Sequence, residues 1–133
     1  MTKRQGAIVL VDDDADVLNV VQEVLSISGF TVHRANNAAT ALDLLCCHPT
    51  VDLLLTDINM PEIDGYMLAD MVKTHCPTMR VLYMTGRNLQ PPREQGVCHG
   101  PTIVKPFRRG ELVAAVEGCL RAPPKVMERA MRH

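Results

Sequence analysis

No run of apolar residues in this sequence approaches the ~20 needed to cross a bilayer. The opening MTKRQG leads straight into AIVLV, too short a stretch for a signal peptide or a span. A membrane reading is thereby excluded, and a soluble, cytoplasmic protein is expected. Charge of one sign is also lacking. Lys plus Arg (14) nearly balance Asp plus Glu (15), so no global field points to nucleic acid or to an acidic lipid surface, and direct binding to either is not expected. Cysteine is present but without framework spacing. The five thiols at positions 46, 47, 76, 98 and 119 form no CxxC and suit free thiols in a reducing compartment. Cys46-Cys47-His48 with Cys98-His99 make a poor zinc set, because neighbours on a helix point about 100° apart. Cys46 and Cys47 are instead expected in or near the core. What is present is 133 residues with 47% hydrophobic content, enough for one domain that buries about two-thirds of its unfolded surface.

Hydrophobic patterning alternates between two periods. Ala7 to Val11 is continuously apolar and ends in Asp12, Asp13 and Asp14, as a strand covered on both faces would. From Ala15 to Ser28, Val17, Val20, Val21, Val24 and Leu25 recur at helical spacing, with Asp14 as cap and Gly29 as terminator. Phe30 to Arg34 is a second strand, and Asn36 or Asn37 caps a helix whose buried stripe is Ala38, Ala41, Leu42 and Leu45. Val51 to Thr56 is a third strand. Asp64-Gly65 opens a helix with Leu68, Met71 and Val72 on one face, and Met79 to Met84 is a fourth strand delivering Thr85. Residues 87–100, RNLQPPREQGVCHG, hold adjacent prolines and two glycines, so the next helix is expected to be shortened or replaced by a loop. Thr102 to Val104 is a short fifth strand. A last helix follows over Glu111 to Leu120, with no good capping side chain at Arg108-Arg109-Gly110. Residues 1–121 form the expected domain, and 122–133, beginning APP, a tail or linker.

Strands alternating with helices imply an α/β fold with right-handed crossovers, here a doubly wound, five-stranded parallel sheet. Function in such sheets gathers at the carboxyl ends of the strands. Those ends deliver Asp12 and Asp13, Asp57, Thr85 and Lys105, whereas the second strand delivers nothing ionisable. With strand order 2-1-3-4-5 the contributing strands are neighbours, and three carboxylates share one pocket. Like charges so close need a cation, and oxygen donors suit magnesium, or manganese. Lys105 adds a mobile positive charge and Thr85 a hydroxyl, which together describe a phosphoryl site. An aspartate at its centre can itself attack phosphorus. Asp14 is read as a helix cap.

The stretches VLVDDDADV, LLLTDINMPEIDG, VLYMTG and IVKPF, in this order and spacing, resemble the signature stretches of the response-regulator receiver domain of two-component signalling. The resemblance covers roughly residues 6–121. It implies a flavodoxin-like fold with strand order 2-1-3-4-5 and phosphorylation on Asp57 from the phosphohistidine of a sensor histidine kinase or histidine phosphotransfer protein. It further implies Mg2+ (or Mn2+) held by Asp12, Asp13, Asp57 and the backbone carbonyl of Asn59, with Thr85 and Lys105 on the phosphoryl group. Met60-Pro61 and Asp64-Gly65 look like the family's turn that shapes the loop after the acceptor, and Met60 and Met84 are expected to flank the site.

Four features depart from or tune that pattern. Thr102 stands where relatives often carry an aromatic switch residue. The Pro-Pro segment stands where relatives dimerise or signal, which argues against the usual dimer through a fourth helix. Asn59 and Arg87 flank the phosphoryl position, and Arg87 is expected to slow self-hydrolysis. The short remainder after the last helix predicts output by protein contact, by relay to a histidine phosphotransfer protein, or through a part of a longer protein outside this sequence. A shortened fourth-helix region resembles stand-alone receivers or those of hybrid histidine kinases. No catalysis is expected beyond the domain's own phosphorylation and dephosphorylation. An aspartyl-nucleophile, Mg2+-dependent phosphatase or phosphotransferase is the enzymatic alternative. It is opposed by Asn59 at the position where such enzymes place a general acid. A diverged interaction module without phosphorylation is the other alternative. None of the five histidines falls near the acids in the sequence pattern, so a built-in phosphohistidine donor is not expected.

Overall fold

The computed structural model describes residues 6–86 and 98–123. Among these, the elements are β1 (Ala7–Val11), α1 (Ala15–Ile27), β2 (Thr31–Ala35), α2 (Ala38–Cys47), β3 (Leu53–Asp57), α3 (Gly65–His75), β4 (Arg80–Thr85), β5 (Thr102–Val104) and α4 (Arg109–Arg121). The strands form one parallel sheet in the order β2-β1-β3-β4-β5, as the strand–helix alternation and the family resemblance imply. The expectations for a shortened helix, for Arg87 and for most of the tail fall on residues 87–97 and 124–133, outside the described residues.

Burial follows position in the sheet. Every residue of β3 and four of five in β1 are buried, whereas β2 and β5, at the two edges, bury little. The pleat divides alternate residues between two cores. Val9, Val11, Leu54 and Tyr83 pack with Leu68, Ala69 and Val72 of α3, while Ile8, Leu10, Leu53 and Leu55 pack with Leu18 and Leu25 of α1 and Leu112 and Val116 of α4. Each buried Leu or Val side chain contributes ~1.5–3 kcal/mol relative to exposure. Continuous apolar runs are what such strands require, since both of their faces are covered.

Helix starts are fixed by short polar side chains. Asp14 accepts from the Asp16 and Val17 N–H groups, Asn37 from Thr40 and Asp64 from Met67. Four details correct or add to the sequence reading. Arg108 makes no side-chain cap hydrogen bond, as read, but Glu111, which the reading did not use, reaches back so that the Arg108 backbone N–H donates to its Oε1 at 2.7 Å. Val20 is 59% exposed and Met71 37% exposed, while Leu18 and Ala69 are buried in their stead. In each helix the buried residue stands two positions before the exposed one, ~200° around the helix, so the packing face is set by the sheet beneath and not by the period alone. Cys46 and Cys47, in the last turn of α2, are both exposed rather than buried, while the residues this helix buries, Ala38 and Ala41, lie in its first half. Lys73, by contrast, is wholly buried, and its ammonium donates to the Pro77 and Met79 carbonyl oxygens, closing the turn between α3 and β4.

Candidate functional site

The carboxyl edge of the sheet brings together the acids read from the sequence. Asp12 follows β1, Asp57 ends β3, and their side chains are buried to within a few per cent, while Asp13 stands exposed at the rim. Carboxylate oxygens of Asp12, Asp13 and Asp57 lie within 4.8 Å of one another. Lys105, one residue beyond β5, reaches back so that its Nζ sits 3.1 Å from Asp12 Oδ2 and 3.2 Å from Asp57 Oδ1. The other oxygen of Asp12 accepts the Asp14 N–H at 2.9 Å, which fixes the carboxylate at the start of α1. Thr85 ends β4 beside these groups, buried, and its carbonyl accepts the Lys105 N–H at 2.7 Å.

The loop after Asp57 is held away from this pocket. The Ile58 N–H donates to the Met84 carbonyl at 2.9 Å, so the chain stays in the sheet one residue past the acid. It then reverses through Pro61, Glu62 and Ile63, where the Ile63 N–H donates to the Pro61 carbonyl and Glu62 takes φ 70°. That γ-turn geometry is strained for a residue with a side chain. Gly65 opens α3 so close to β3 that a Cβ there would collide with the Asp57 carbonyl oxygen. Asp57 is thus fixed from both sides, by the ladder to β4 and by the first turn of α3. Met84 and Met60 are buried, while Asn59 is exposed on the loop.

The electrostatics are those of a site built for more positive charge than the chain supplies. Burial, with the charge of Asp12 beside it, pushes the Asp57 carboxyl up to about 6 against the pull of Lys105. Asp12 is also raised, chiefly by burial. Burial disfavours the Lys105 ammonium, but its hydrogen bond to Asp12 and the charges of Asp12 and Asp57 outweigh that and raise it. Three carboxylates against one ammonium leave two negative charges uncompensated. The donor set is all oxygen, so Asp12, Asp13 and Asp57 fit a hard divalent cation such as Mg2+.

The cysteines and histidines sort differently from the zinc pairing weighed above. Cys46 and His48 line a cavity of about 380 Å³ with His75 and Cys76, not with Cys98 and His99. Among the described residues, the acids alone form a group of three or more His, Cys, Asp or Glu side chains at metal-binding distances. His33 stacks on His48 with ring centroids 3.9 Å apart, and burial together with His48 pushes it below the usual imidazole range. His99, which the sequence left without a role, is buried with its Nε2 2.8 Å from Asp70 Oδ1. A histidine following a glycine- and proline-rich stretch gave no periodic signal to mark it as buried.

A doubly wound parallel sheet with an acidic cation pocket and one lysine at its carboxyl edge defines a flavodoxin-like α/β domain whose site lies where strand order reverses. Residues 8–117 match the family model described as the response regulator receiver domain, and the chain belongs to that family. It is 37% identical over 117 residues to the transcriptional regulatory protein CpxR of Escherichia coli, covering 86% of this chain and 49% of that protein. It is 34% identical over 116 residues to the transcriptional regulatory protein PrrA of Mycobacterium leprae, again over 86% of this chain and 49% of that one. The chain therefore spans about half the length of the curated relatives it matches. The crystal structure of a response regulator receiver protein from Sinorhizobium medicae superposes with a TM-score of 0.77 at 28% identity, over 90% of this chain and 97% of that one.

Proposed function

We propose that this receiver domain accepts a phosphoryl group on Asp57 from the phosphohistidine of a sensor histidine kinase or histidine phosphotransfer protein, and signals through the resulting change in its surface. An oxygen of the Asp57 carboxylate attacks phosphorus. The bond from phosphorus to the donor imidazole nitrogen breaks, and the imidazole keeps the electron pair and takes up a proton. Asp12, Asp13 and Asp57, with the Asn59 carbonyl, hold Mg2+ (or Mn2+), which supplies positive charge to the phosphoryl oxygens when bound. Lys105 releases a carboxylate to pair with a phosphoryl oxygen, and Thr85 offers its hydroxyl to another. Asn59, two residues after the acceptor, offers no general acid, so the reading stops at self-phosphorylation and self-hydrolysis without turnover of an outside substrate. Arg87, two after Thr85, slows that hydrolysis, and Arg87→Ala should shorten the phosphoryl lifetime.

The observation that carries the reading is the Lys105 ammonium shared between Asp12 and Asp57, with Asp13 across the same opening. The donor protein must approach over this rim, where Val17, Val20 and Phe107 line an apolar cavity of about 510 Å³ beside Lys105. Signalling then proceeds by protein contact, to a relay partner or to another part of the same protein. The test is intact mass after exposure to a small phosphodonor with Mg2+. One phosphoryl gained by the wild type and none by Asp57→Asn is expected. Equal labelling of both, or of neither, overturns the proposal.

A further inference from the structure

β5 is three residues long, lies at the sheet edge and is exposed at both ends, yet it carries Lys105 to the site. Its own pairing with β4 is a short anchor. What precedes it is held much more firmly. His99 is 4% exposed, its Nε2 lies 2.8 Å from the Asp70 carboxylate of α3, and its backbone N–H donates to the buried Tyr83 hydroxyl at 3.2 Å. Facing a carboxylate, Nε2 must carry the proton. Gly100, next along, lies so close to β4 that a Cβ would collide with the Val81 carbonyl oxygen. The Tyr83 N–H in turn donates to the Pro101 carbonyl at 2.9 Å. The chain from His99 to Lys105 is therefore held at its start by a buried side chain and at its end by backbone pairing alone, the Lys105 N–H donating to the Thr85 carbonyl at 2.7 Å.

The other end of that pin leads back to the same acid. Asp70 lies on α3, whose first residue, Gly65, packs on the Asp57 carbonyl and donates its N–H to Ile58 O at 2.9 Å. A closed circuit results: Asp57 to the start of α3, along α3 to Asp70, across to His99, through β5 to Lys105, and from Lys105 Nζ back to Asp57. We propose that His99 is a positioning residue for Lys105, setting through this circuit where the ammonium meets Asp57 and the phosphoryl group it accepts. The inference rests on the phosphoacceptor reading for the reaction, but not for the geometry. Loss of the His99–Asp70 tie leaves the segment held by its backbone bonds to β4 alone and shifts the Lys105 ammonium relative to its two carboxylates.

Two measurements on the whole chain test this. In the first, phosphoryl uptake from a small phosphodonor with Mg2+ is timed by intact mass. His99→Leu, which keeps bulk but loses the tie, should label roughly tenfold more slowly or worse, as small displacements of a reacting group do. His99→Gln, whose amide still donates to Asp70, should recover most of the rate. In a Lys105→Met background His99→Leu should add nothing, because its effect runs through the lysine. An unchanged rate in His99→Leu, or undiminished slowing in the Lys105→Met background, overturns the proposal. In the second, NMR of isotope-labelled lysine follows the Lys105 ammonium, expected to be protected in wild type and His99→Gln and freed in His99→Leu. Asp70→Ala, altered on the helix surface side of the tie, should free it too and serves if His99→Leu does not fold. An ammonium signal indifferent to these variants refutes the positioning role even if Asp57 is phosphorylated. A signal that depends on His99 in a wild type that takes no phosphoryl upholds it, and the phosphoacceptor reading alone fails.

Discussion

Two buried carboxylates govern the metal-free protein residue by residue. Burial, and then the charge of Asp12, push the Asp57 carboxyl from its ordinary 3.8 up to about 6. Through that window the unfolded chain has lost a proton that the folded protein still holds, so stability falls as pH rises and levels off above the folded value. Asp57→Asn removes the ionisation. Without divalent cation and above pH ~6 it should be more stable than wild type by about 1–2 kcal/mol, less than the full shift converts to because Lys105 and water at the rim share the field. Near pH ~4 the two should converge. Thermal melts in chelator at both pH values check the sign, and a wild type more stable than Asp57→Asn at the higher pH would contradict it. Gly65 acts through sterics. Gly65→Ala drives a methyl into the Asp57 carbonyl and Ile58, so it should cost about 1–3 kcal/mol in denaturant melts and slow phosphoryl uptake as the acceptor is displaced.

Single helices carry predictions of their own. Glu111→Ala removes the side chain that satisfies the Arg108 N–H at the start of α4, and a loss of about 0.5–1 kcal/mol in unfolding free energy is expected. Val20 on α1 is an apolar side chain left in solvent beside Lys105. Val20→Glu should slow phosphoryl transfer from a partner protein while leaving labelling by a small phosphodonor at the wild-type rate; equal slowing of both would place the effect in the site. These elements also show what the sequence made legible. The covered strands were plain because two buried faces demand unbroken apolar runs, but β2, β3 and β4 each extend one residue past those runs. Asp57 pairs with Met84 and Thr85 with Val104, so the polar residues at the strand ends are themselves rungs of the ladder. The acids, Thr85 and Lys105 were found because they stand at those ends. His99 was missed because its burial depends on Asp70, far away in the sequence, and Lys73 because its partners are the carbonyls of the turn just after its helix, Pro77 and Met79, which no helical period encodes. Cys46 and Cys47 misled because small apolar character alone was taken as a sign of burial, whereas α2 buries only Ala38 and Ala41 of its first half.

Across the whole molecule, strands β1, β3, β4 and β5 converge on one charge imbalance, and binding a cation there couples them. Three carboxylates with one lysine favour uptake of a divalent ion, and any ion bound only by the folded state stabilises it by RT ln(1 + [L]/Kd), about 2.7 kcal/mol at a hundredfold excess over Kd. In a domain of this size that is a rise in Tm of roughly 5–15 °C. Mg2+ should therefore raise the melting temperature of the wild type well beyond a sodium salt of equal ionic strength, since screening alone weakens the Lys105 pairs without replacing them. Asp13→Asn tests the site against general salt effects. Asp13 is exposed and makes no ion pair with Lys105, which pairs with Asp12 and Asp57, so its removal should leave the metal-free Tm nearly unchanged while abolishing most of the Mg2+ shift. Asp12→Asn should lose the shift too, and because Asp12 also anchors Lys105 and the Asp14 N–H it should change the metal-free melt as well. A Mg2+ shift surviving in both variants would mean that the ion binds elsewhere and that these strand ends do not share a cation.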